Sequence, residues 1–366
     1  MGAVPNSRVL VFVAVAGYRE GSSQIIDELI ATERKLLVAA AVIAAACTSV
    51  PRPSVVVVPQ AAPIPADTLR VPLNDLGART YRGFQGGLYP GGSNVVPTDH
   101  EAAGIARRNL VKPLDVNGIP SASGKYVLIS IGMSNTTEEW CSISSAPPCD
   151  SWTFTGRSVS DASVNHSALV IVNGAAGGQD AAAWTSPAAA NYDRIRDTRL
   201  APLGLGEKQV QIAWVKIADA RPSTVLPSAS ADAYTLLQRL GDVVRALKVR
   251  YPNLQQVFLS SRSYGGYATT DLNPEPYAYE SGFSVKWLIE SQIAQPRAPW
   301  IAWGPYFWAD GINPRSDGLS WPPADFGADG THPSQSGAGK AGAMLLEFFK
   351  SSPETRCWFL AGQSCS

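Results

Sequence analysis

Five short apolar segments alternate with helical patterns in this sequence, and this alternation constrains the fold more than any other feature. The segments are rich in β-branched or aromatic residues and lie at 126–131, 168–172, 210–215, 257–260 and 299–303. The first two are almost continuously apolar, which is typical of parallel strands buried on both faces. We therefore expect an α/β fold, a three-layer α/β/α sandwich around a central, mainly parallel five-stranded sheet.

The sequence predicts two helices and where they end. Between the third and fourth segments, leucine and valine recur at steps of three and four positions from Leu236 to Leu247. This spacing predicts an amphipathic helix that ends before Pro252. Residues 335–350 predict a closing helix. In such folds ligands bind at the carboxyl ends of the strands, so the loops that follow the five segments are where chemistry is expected.

The sequence has three histidines, His100, His166 and His332. His332 belongs to Asp329-Gly-Thr-His332, directly before the predicted closing helix. A carboxylate three residues before an imidazole on a turn can accept the Nδ1 proton, which leaves Nε2 facing outward as a base. We predict His332 as a general base oriented by Asp329 and interpret the other two histidines as surface or hydrogen-bonded structural residues.

A serine, Ser134, follows the first apolar segment in the motif Gly-Met-Ser-Asn-Thr. Its position at the carboxyl edge of the predicted sheet makes it a candidate nucleophile for His332. After the second segment, a loop with Gly177 and Gly178 offers backbone amides for an oxyanion. Alternatives are that Ser134 only leads into a capped helix and that the glycine pair is an ordinary turn. The Gly-x-Ser-x-Gly elbow of ordinary α/β hydrolases is absent from the sequence.

In this combination, the motifs resemble the SGNH (GDSL-type) hydrolase superfamily, with its serine block, glycine block, asparagine block and closing Asp-x-x-His. Gly-Met-Ser134-Asn135 is similar to the Gly-Gln-Ser-Asn of the carbohydrate and sialate acetylesterase-like branch. The stretch from Gly177 to Trp184 is similar to that branch's Gly-Gly-Thr-x-x-x-x-Trp. The resemblance spans about residues 125–350 and implies a flavodoxin-like arrangement of the sheet.

The resemblance also implies roles for individual residues. Ser134 would be the nucleophile, His332 the base and Asp329 its orienting partner, with the amides of Ser134 and Gly178 as the oxyanion hole. Asn135 and Gly177 would line the site.

The sequence departs from the family pattern at two places. Met133 stands where the family usually has Asp or Gln, and the third block has no asparagine. Lys216 and Asp219 occupy that block, and Arg262 follows the fourth segment. We predict these three residues as site-lining. For Lys216 and Asp219 the alternative is a solvated pair at the strand end, and for Arg262 it is a structural ion pair.

The N-terminal region predicts export. Arg34-Lys35 precedes an eleven-residue apolar run at 36–46, which ends in small residues before Cys47. This order is that of a signal peptide, and a cysteine at the cleavage point resembles a bacterial lipoprotein signal. We predict residues 1–46 as a signal peptide with an over-extended start and Cys47 as a lipid attachment site. The alternative is an ordinary signal cleaved at the same place.

Residues 47–68 form a Pro/Ala-rich tether, and 69–366 form a single domain in this interpretation. The expected location is secreted or cell-envelope, with the protein lipid-anchored at the outer membrane or surface of a bacterium.

Four cysteines remain in a chain assigned to an oxidising compartment. Among the three possible pairings, Cys141 with Cys149 and Cys357 with Cys365 close the shortest loops and are favoured. Zinc ligation is disfavoured because neither pair has the usual spacing and no histidine is near either pair. We expect no metal and no cofactor.

The charge balance, 30 basic against 30 acidic residues, lacks the positive excess that nucleic-acid binding requires.

We predict a secreted serine esterase that hydrolyses carboxylic esters through a Ser-His-Asp triad and an acyl-enzyme. The expected substrate is a small ester or an acetylated carbohydrate. The aromatic residues between 300 and 321 would suit a sugar ring or an aryl acyl group, and the alternative is that they pack in the core. The alternatives are a catalytically inactive glycan-binding surface lipoprotein on the same scaffold and an O-acetyltransferase.

Overall fold

A computed structural model of the chain describes residues 69–142 and 147–365. The predicted signal peptide and the whole of the predicted tether, with Cys47, lie outside these residues. The described residues belong to one compact unit of the chain, Pro63–Ser366. Among their helices, none combines the length and the apolar character needed to cross a bilayer.

The strands of the described residues form two sheets. In chain order they are β1 (Thr80–Tyr81), β2 (Phe84–Gln85), β3 (Tyr126–Gly132), β4 (Leu169–Val172), β5 (Val210–Lys216), β6 (Gln256–Ser260) and β7 (Trp300–Trp303). β1 and β2 form a small antiparallel hairpin that the sequence analysis did not predict. The other five form one parallel sheet in the order β4-β3-β5-β6-β7. Each of these five strands differs from its predicted segment by one residue at one end, and the predicted fold class is confirmed.

Helices connect the strands. In chain order they are α1 (Leu73–Leu76), α2 (Thr98–Arg108), α3 (Ser134–Trp140), α4 (Phe154–Ser160), α5 (Ala190–Ile195), α6 (Asp232–Arg250), α7 (Tyr277–Ala294), α8 (Gln335–Ser351) and α9 (Arg356–Phe359). The predicted amphipathic helix is α6. It ends at Arg250, two residues before Pro252, because the residue before a proline disfavours helical angles.

The sheet separates two apolar cores because successive side chains of a strand point to opposite faces. Val127 and Ile129 of β3 pack in one core, with apolar residues of α5, α6 and α7. Leu128, between them in sequence, packs in the other core with residues of α3, α4 and α8. Helices therefore cover both faces of the sheet, as the three-layer prediction requires.

Two disulfides join the four cysteines in the favoured pairing. Cys141–Cys149 closes a loop directly after α3, and Cys357–Cys365 closes a loop that begins in α9. The prediction of two local disulfides is confirmed. Such bonds are typical of proteins that fold in an oxidising compartment.

The strand register places three strand ends side by side. Gly132 at the end of β3 pairs with Lys216 at the end of β5, and Lys216 pairs with Ser260 at the end of β6. The loops that leave these strands therefore begin at the same edge of the sheet. The candidate site lies at this edge.

Candidate active site

Ser134 is the first residue of α3 and follows the end of β3 after a sharp turn. A side chain at Gly132 would overlap with the carbonyl oxygen of Lys216 and with the Thr136 hydroxyl, so the turn has room for glycine only. The Thr136 hydroxyl donates to the Lys216 carbonyl at 2.5 Å, which fixes the start of α3 against the neighbouring strand. These contacts hold Ser134 at the carboxyl edge of the sheet.

The Ser134 side chain bonds to a histidine rather than capping its helix. Met133 occupies the position before the helix, and no side chain forms a capping hydrogen bond there. Instead, Oγ of Ser134 lies 2.6 Å from Nε2 of His332. The structure therefore brings together the serine and the histidine that the sequence singled out.

His332 is held by Asp329 through both the side chain and the backbone. Its Nδ1 atom lies 2.5 Å from Oδ2 of Asp329. The other carboxylate oxygen, Oδ1, accepts the backbone N–H groups of Thr331 and His332, each at 3.0 Å. A carboxylate that bonds Nδ1 leaves Nε2 directed to the serine. We call residues 329–332 the Asp-x-x-His turn.

The Asp329 carboxyl has a pKa below its ordinary value. Burial disfavours its ionised form, but hydrogen bonds from the His332 ring and from two backbone N–H groups outweigh that effect. The Asp329 and His332 side chains keep 33% and 31% of their surface exposed, so solvent and a substrate can reach this side of the site. Asp329 is therefore ionised at neutral pH and suited to orient an imidazolium.

The glycine loop after β4 folds back onto the serine. The N–H of Ala176 donates to the carbonyl of Gly132 at 3.1 Å. A Cβ atom placed on Gly177 would lie 3.9 Å from Cβ of Ser134, so the two residues are neighbours. Gly178 has φ +71°, a left-handed conformation that favours glycine, and its surroundings are open. The predicted oxyanion loop thus lies beside Ser134.

Asn135 connects the serine helix to the Asp-x-x-His turn. Its side chain is buried, and Nδ2 makes a long hydrogen bond of 3.5 Å to the Thr331 carbonyl oxygen. The contact fixes α3 relative to the turn, next to the bond between Ser134 and His332.

The Lys216 side chain is fully enclosed and forms an ion pair with Glu139 of α3. Burial lowers the pKa of its ammonium group. The interpretation of Lys216 and Asp219 as a solvated pair is wrong, because each is buried and has a different partner. Asp219 pairs with Arg239 at 2.8 Å.

Arg262 lies in the loop after β6 and is 3% exposed. Its backbone N–H donates to the Ser281 hydroxyl at 3.2 Å. The Nε and Nη1 atoms of its guanidinium are buried without a hydrogen-bond partner among the described residues. The carboxylates of Glu139 and Glu138 are the opposite charges with the largest effect on the pKa of Arg262, which burial lowers.

Glu138 and Glu139 were missed by the sequence analysis. Glu138 is half-buried, and burial raises the pKa of its carboxyl to about 7, aided by Glu139 and opposed by His332. The one sequence signal was its spacing, four positions after Ser134, which would place both residues on one face of a helix.

The remaining histidines have structural contacts. Nε2 of His100 lies 2.9 Å from the Ile301 carbonyl oxygen, and Nε2 of His166 lies 2.9 Å from that of Asp161. In the described part of the chain, no group of three or more His, Cys, Asp or Glu residues is arranged to hold a metal ion.

The aromatic residues between 300 and 321 belong to the core. Their exposed fractions are 5% or less, and they are Trp300, Trp303, Tyr306, Phe307, Trp308 and Trp321. Their density reflects core packing. They do not form an exposed platform for a sugar ring.

No protein-family model matches this sequence, and no curated protein matches it. Among solved structures, the chain is similar to an extracellular lipase from Streptomyces rimosus, at 13% identity and TM-score 0.33, covering 61% of this chain and 99% of that chain. It is similar to an acetylxylan esterase from Geobacillus stearothermophilus, at 14% identity and TM-score 0.36, covering 64% and 98%. It is also similar to a family two carbohydrate esterase from Clostridium thermocellum, at 16% identity and TM-score 0.36, covering 63% and 65%.

Proposed function

We propose that this protein is a serine hydrolase of carboxylic esters, of the SGNH type, with Ser134, His332 and Asp329 as its catalytic triad. The observation that carries the proposal is the continuous hydrogen-bonded path from Ser134 Oγ through both ring nitrogens of His332 to Asp329 Oδ2. Nucleophile, base and orienting carboxylate in this order form the geometry of nucleophilic acyl transfer.

In the first half of the reaction, His332 Nε2 takes the proton of the Ser134 hydroxyl while Oγ forms a bond to the ester carbonyl carbon. The carbonyl π electrons move to the oxygen, which becomes the oxyanion. When the intermediate collapses, the alcohol leaves with the proton from His332, and the acyl group stays on Ser134. Water, deprotonated by His332, then releases the acid and restores the serine.

The oxyanion is held by the backbone N–H groups of Ser134 and Gly178 in this proposal. Ser134 is the first residue of α3, so its N–H has no partner within the helix. The closeness of Gly177 to Ser134 supports the second donor, because it shows that the glycine loop lies beside the serine. Lys216 is not proposed as the third donor, since its ammonium is already paired with Glu139.

For the substrate, we propose O-acetyl groups on carbohydrate. Support comes from the resemblance of the serine and glycine blocks to the acetylesterase-like branch, and from the solvent access of Asp329 and His332, which leaves room for a bulky alcohol. A panel of acetylated oligosaccharides and simple acyl esters, with acetate release as the readout, tests this. Faster hydrolysis of long-chain acyl esters than of any acetylated sugar would contradict it.

The direct test of the activity is turnover of p-nitrophenyl acetate by the wild type and by Ser134→Ala. We expect measurable turnover in the wild type and the background rate in the variant. Background rates in both would contradict the esterase and favour a glycan-binding protein on this scaffold. Acyl transfer that outcompetes hydrolysis when an acceptor sugar is added would instead indicate an O-acetyltransferase.

For the location, we propose export and lipid attachment at Cys47. The two disulfides support export. The full chain expressed in a bacterium should partition into the detergent phase, and Cys47→Ala should abolish that partitioning. Equal partitioning of both proteins would contradict lipid attachment.

A further inference from the structure

Glu138 lies on the face of α3 that meets the Asp-x-x-His turn. Ser134 and Glu138 are four positions apart and therefore share one face of the helix. Asn135, three positions before Glu138, lies on that face too, and its Nδ2 atom contacts Thr331 in the turn. Since Ser134 and Asn135 both bond to the turn, the same face directs Glu138 to it.

Glu138 is half-buried, and one of its carboxylate oxygens is removed from solvent. Its Oε2 atom is buried and has no hydrogen-bond partner among the residues that the structure describes. A buried, unpaired carboxylate oxygen is costly unless a positive charge lies nearby. The charged groups that interact electrostatically with Glu138 are Glu139 from α3, Lys216 from the end of β5, Arg262 from the loop after β6, and Asp329 and His332 from the turn.

Among these groups, His332 has the largest charge effect on the pKa of the Glu138 carboxyl, which it lowers. Lys216 is already paired with Glu139. The pKa of Arg262 is affected more by Glu139 than by Glu138. His332 is neutral when it accepts a hydrogen bond from Ser134 and becomes positive only during the reaction. The charge that best complements Glu138 therefore appears in the transition state.

We propose that Glu138 is a positioning residue whose carboxylate stabilises the His332 imidazolium formed when His332 accepts the Ser134 proton. This inference rests on the function proposed above. The proton passes from Ser134 Oγ to His332 Nε2, and the Oγ electron pair forms the bond to the carbonyl carbon. Glu138 neither gives nor takes a proton in this step and acts through its charge.

The role predicts a particular pH dependence. With its pKa raised to about 7 by burial, the Glu138 carboxyl is neutral in mildly acidic solution and charged above neutrality. Only the charged form stabilises an imidazolium, so the ionisation of Glu138 near pH 7 should add a second step to the acidic limb of the rate profile. A purely structural glutamate would not produce this second step.

The first experiment measures kcat/KM for p-nitrophenyl acetate from pH 5 to 9 in the wild type, Glu138→Gln, Glu138→Asp and Glu347→Gln. Glu347 lies on the exposed side of α8 and serves as the charge-matched control. We expect two ionisations in the acidic limb of the wild type. In Glu138→Gln we expect one, with a plateau about three- to tenfold lower. Glu138→Asp should restore the second ionisation, and Glu347→Gln should match the wild type.

The second experiment needs no substrate. The imidazole NMR signals of the three histidines are followed against pH, with His100 and His166 as internal references. We expect the His332 signal to shift in two steps in the wild type and in one step in Glu138→Gln. An identical His332 titration in both proteins would overturn the role of Glu138. Absence of ester hydrolysis by the wild type would overturn the proposed function. That outcome is read from the activity assay, whereas the role of Glu138 is read from the NMR titration, so the two failures are distinguishable.

Discussion

Oγ of Ser134 and Nε2 of His332 lie 2.6 Å apart, although 198 positions separate the two residues in the chain. Ser134 is placed by the turn between β3 and α3, and His332 by the turn before α8. Packing of α3 and α8 on the same face of the sheet brings the two turns together. The contact is therefore a product of the tertiary fold, and the following predictions depend on it.

Asp329→Asn should lower kcat by roughly 10³- to 10⁴-fold. The amide can still accept the two backbone N–H groups through its oxygen, but its nitrogen is a donor and cannot accept the Nδ1 proton of His332. The imidazole then loses the tautomer that presents Nε2 as a base. Steady-state kinetics, with a thermal unfolding curve to show that the fold is intact, check this. A kcat within tenfold of the wild type would contradict the role of Asp329.

Gly178→Ala should reduce kcat about tenfold to a hundredfold by displacing an oxyanion donor. Gly362→Ala is the matched control, because both glycines have φ +71°, are exposed and have no atoms near the added methyl group. Both substitutions should destabilise the fold by a similar amount, about 1 kcal/mol, through the left-handed backbone. Equal losses of activity in the two variants would show that Gly178 has no role in the reaction.

Removal of the Cys141–Cys149 bond should lower both stability and activity. Each disulfide closes a loop of the same sequence separation, eight residues, so loss of either should cost about 2–3 kcal/mol in the free energy of unfolding. Cys141 directly follows α3, the helix that carries Ser134, whereas the second bond is in the C-terminal segment. We therefore expect the double serine variant of the first pair to lose more activity than that of the second.

This comparison is made by urea unfolding and by p-nitrophenyl acetate turnover at a temperature where both variants are folded. Equal activity in the two double variants would contradict a contribution of the first disulfide to the position of α3.

Lys216→Met should destabilise the protein by about 3–5 kcal/mol, because it leaves Glu139 as a buried charge without its partner. Adding Glu139→Gln should recover part of this loss, since the uncompensated charge is then removed. Urea unfolding of the two single variants and the double variant measures the coupling. Strictly additive losses would show that the ion pair does not contribute to the stability of the site.

The sheet was predictable from sequence because its strands are buried on both faces and therefore leave continuous apolar runs. Val127, Leu128 and Ile129 all pack in a core, alternately on one face and the other. The β1–β2 hairpin was missed because each of its strands has two residues, too few to show an alternation of apolar and polar positions.

The residues of the proposed triad were recognisable from the sequence because each lies next to an element with a clear pattern: Ser134 after a strand, and Asp329 and His332 before a helix. Glu138 and the pairing of Lys216 with Glu139 were not. They depend on which face of α3 meets the sheet and the turn, and a seven-residue helix with no apolar stripe does not reveal its orientation. The exposure of aromatic residues also depends on packing. The sequence therefore left open whether Trp303 and Trp308 line a substrate site or pack in the core, and the structure places them in the core.

The most direct test of the proposed chemistry is covalent trapping of the nucleophile. The wild type, Ser134→Ala and His332→Ala are incubated with a fluorophosphonate, and the intact and digested proteins are weighed by mass spectrometry. We expect one adduct per wild-type chain, on the peptide that contains Ser134, no adduct in Ser134→Ala and a strongly reduced rate in His332→Ala. An adduct on any other residue, or ester hydrolysis that persists in Ser134→Ala, would contradict the account.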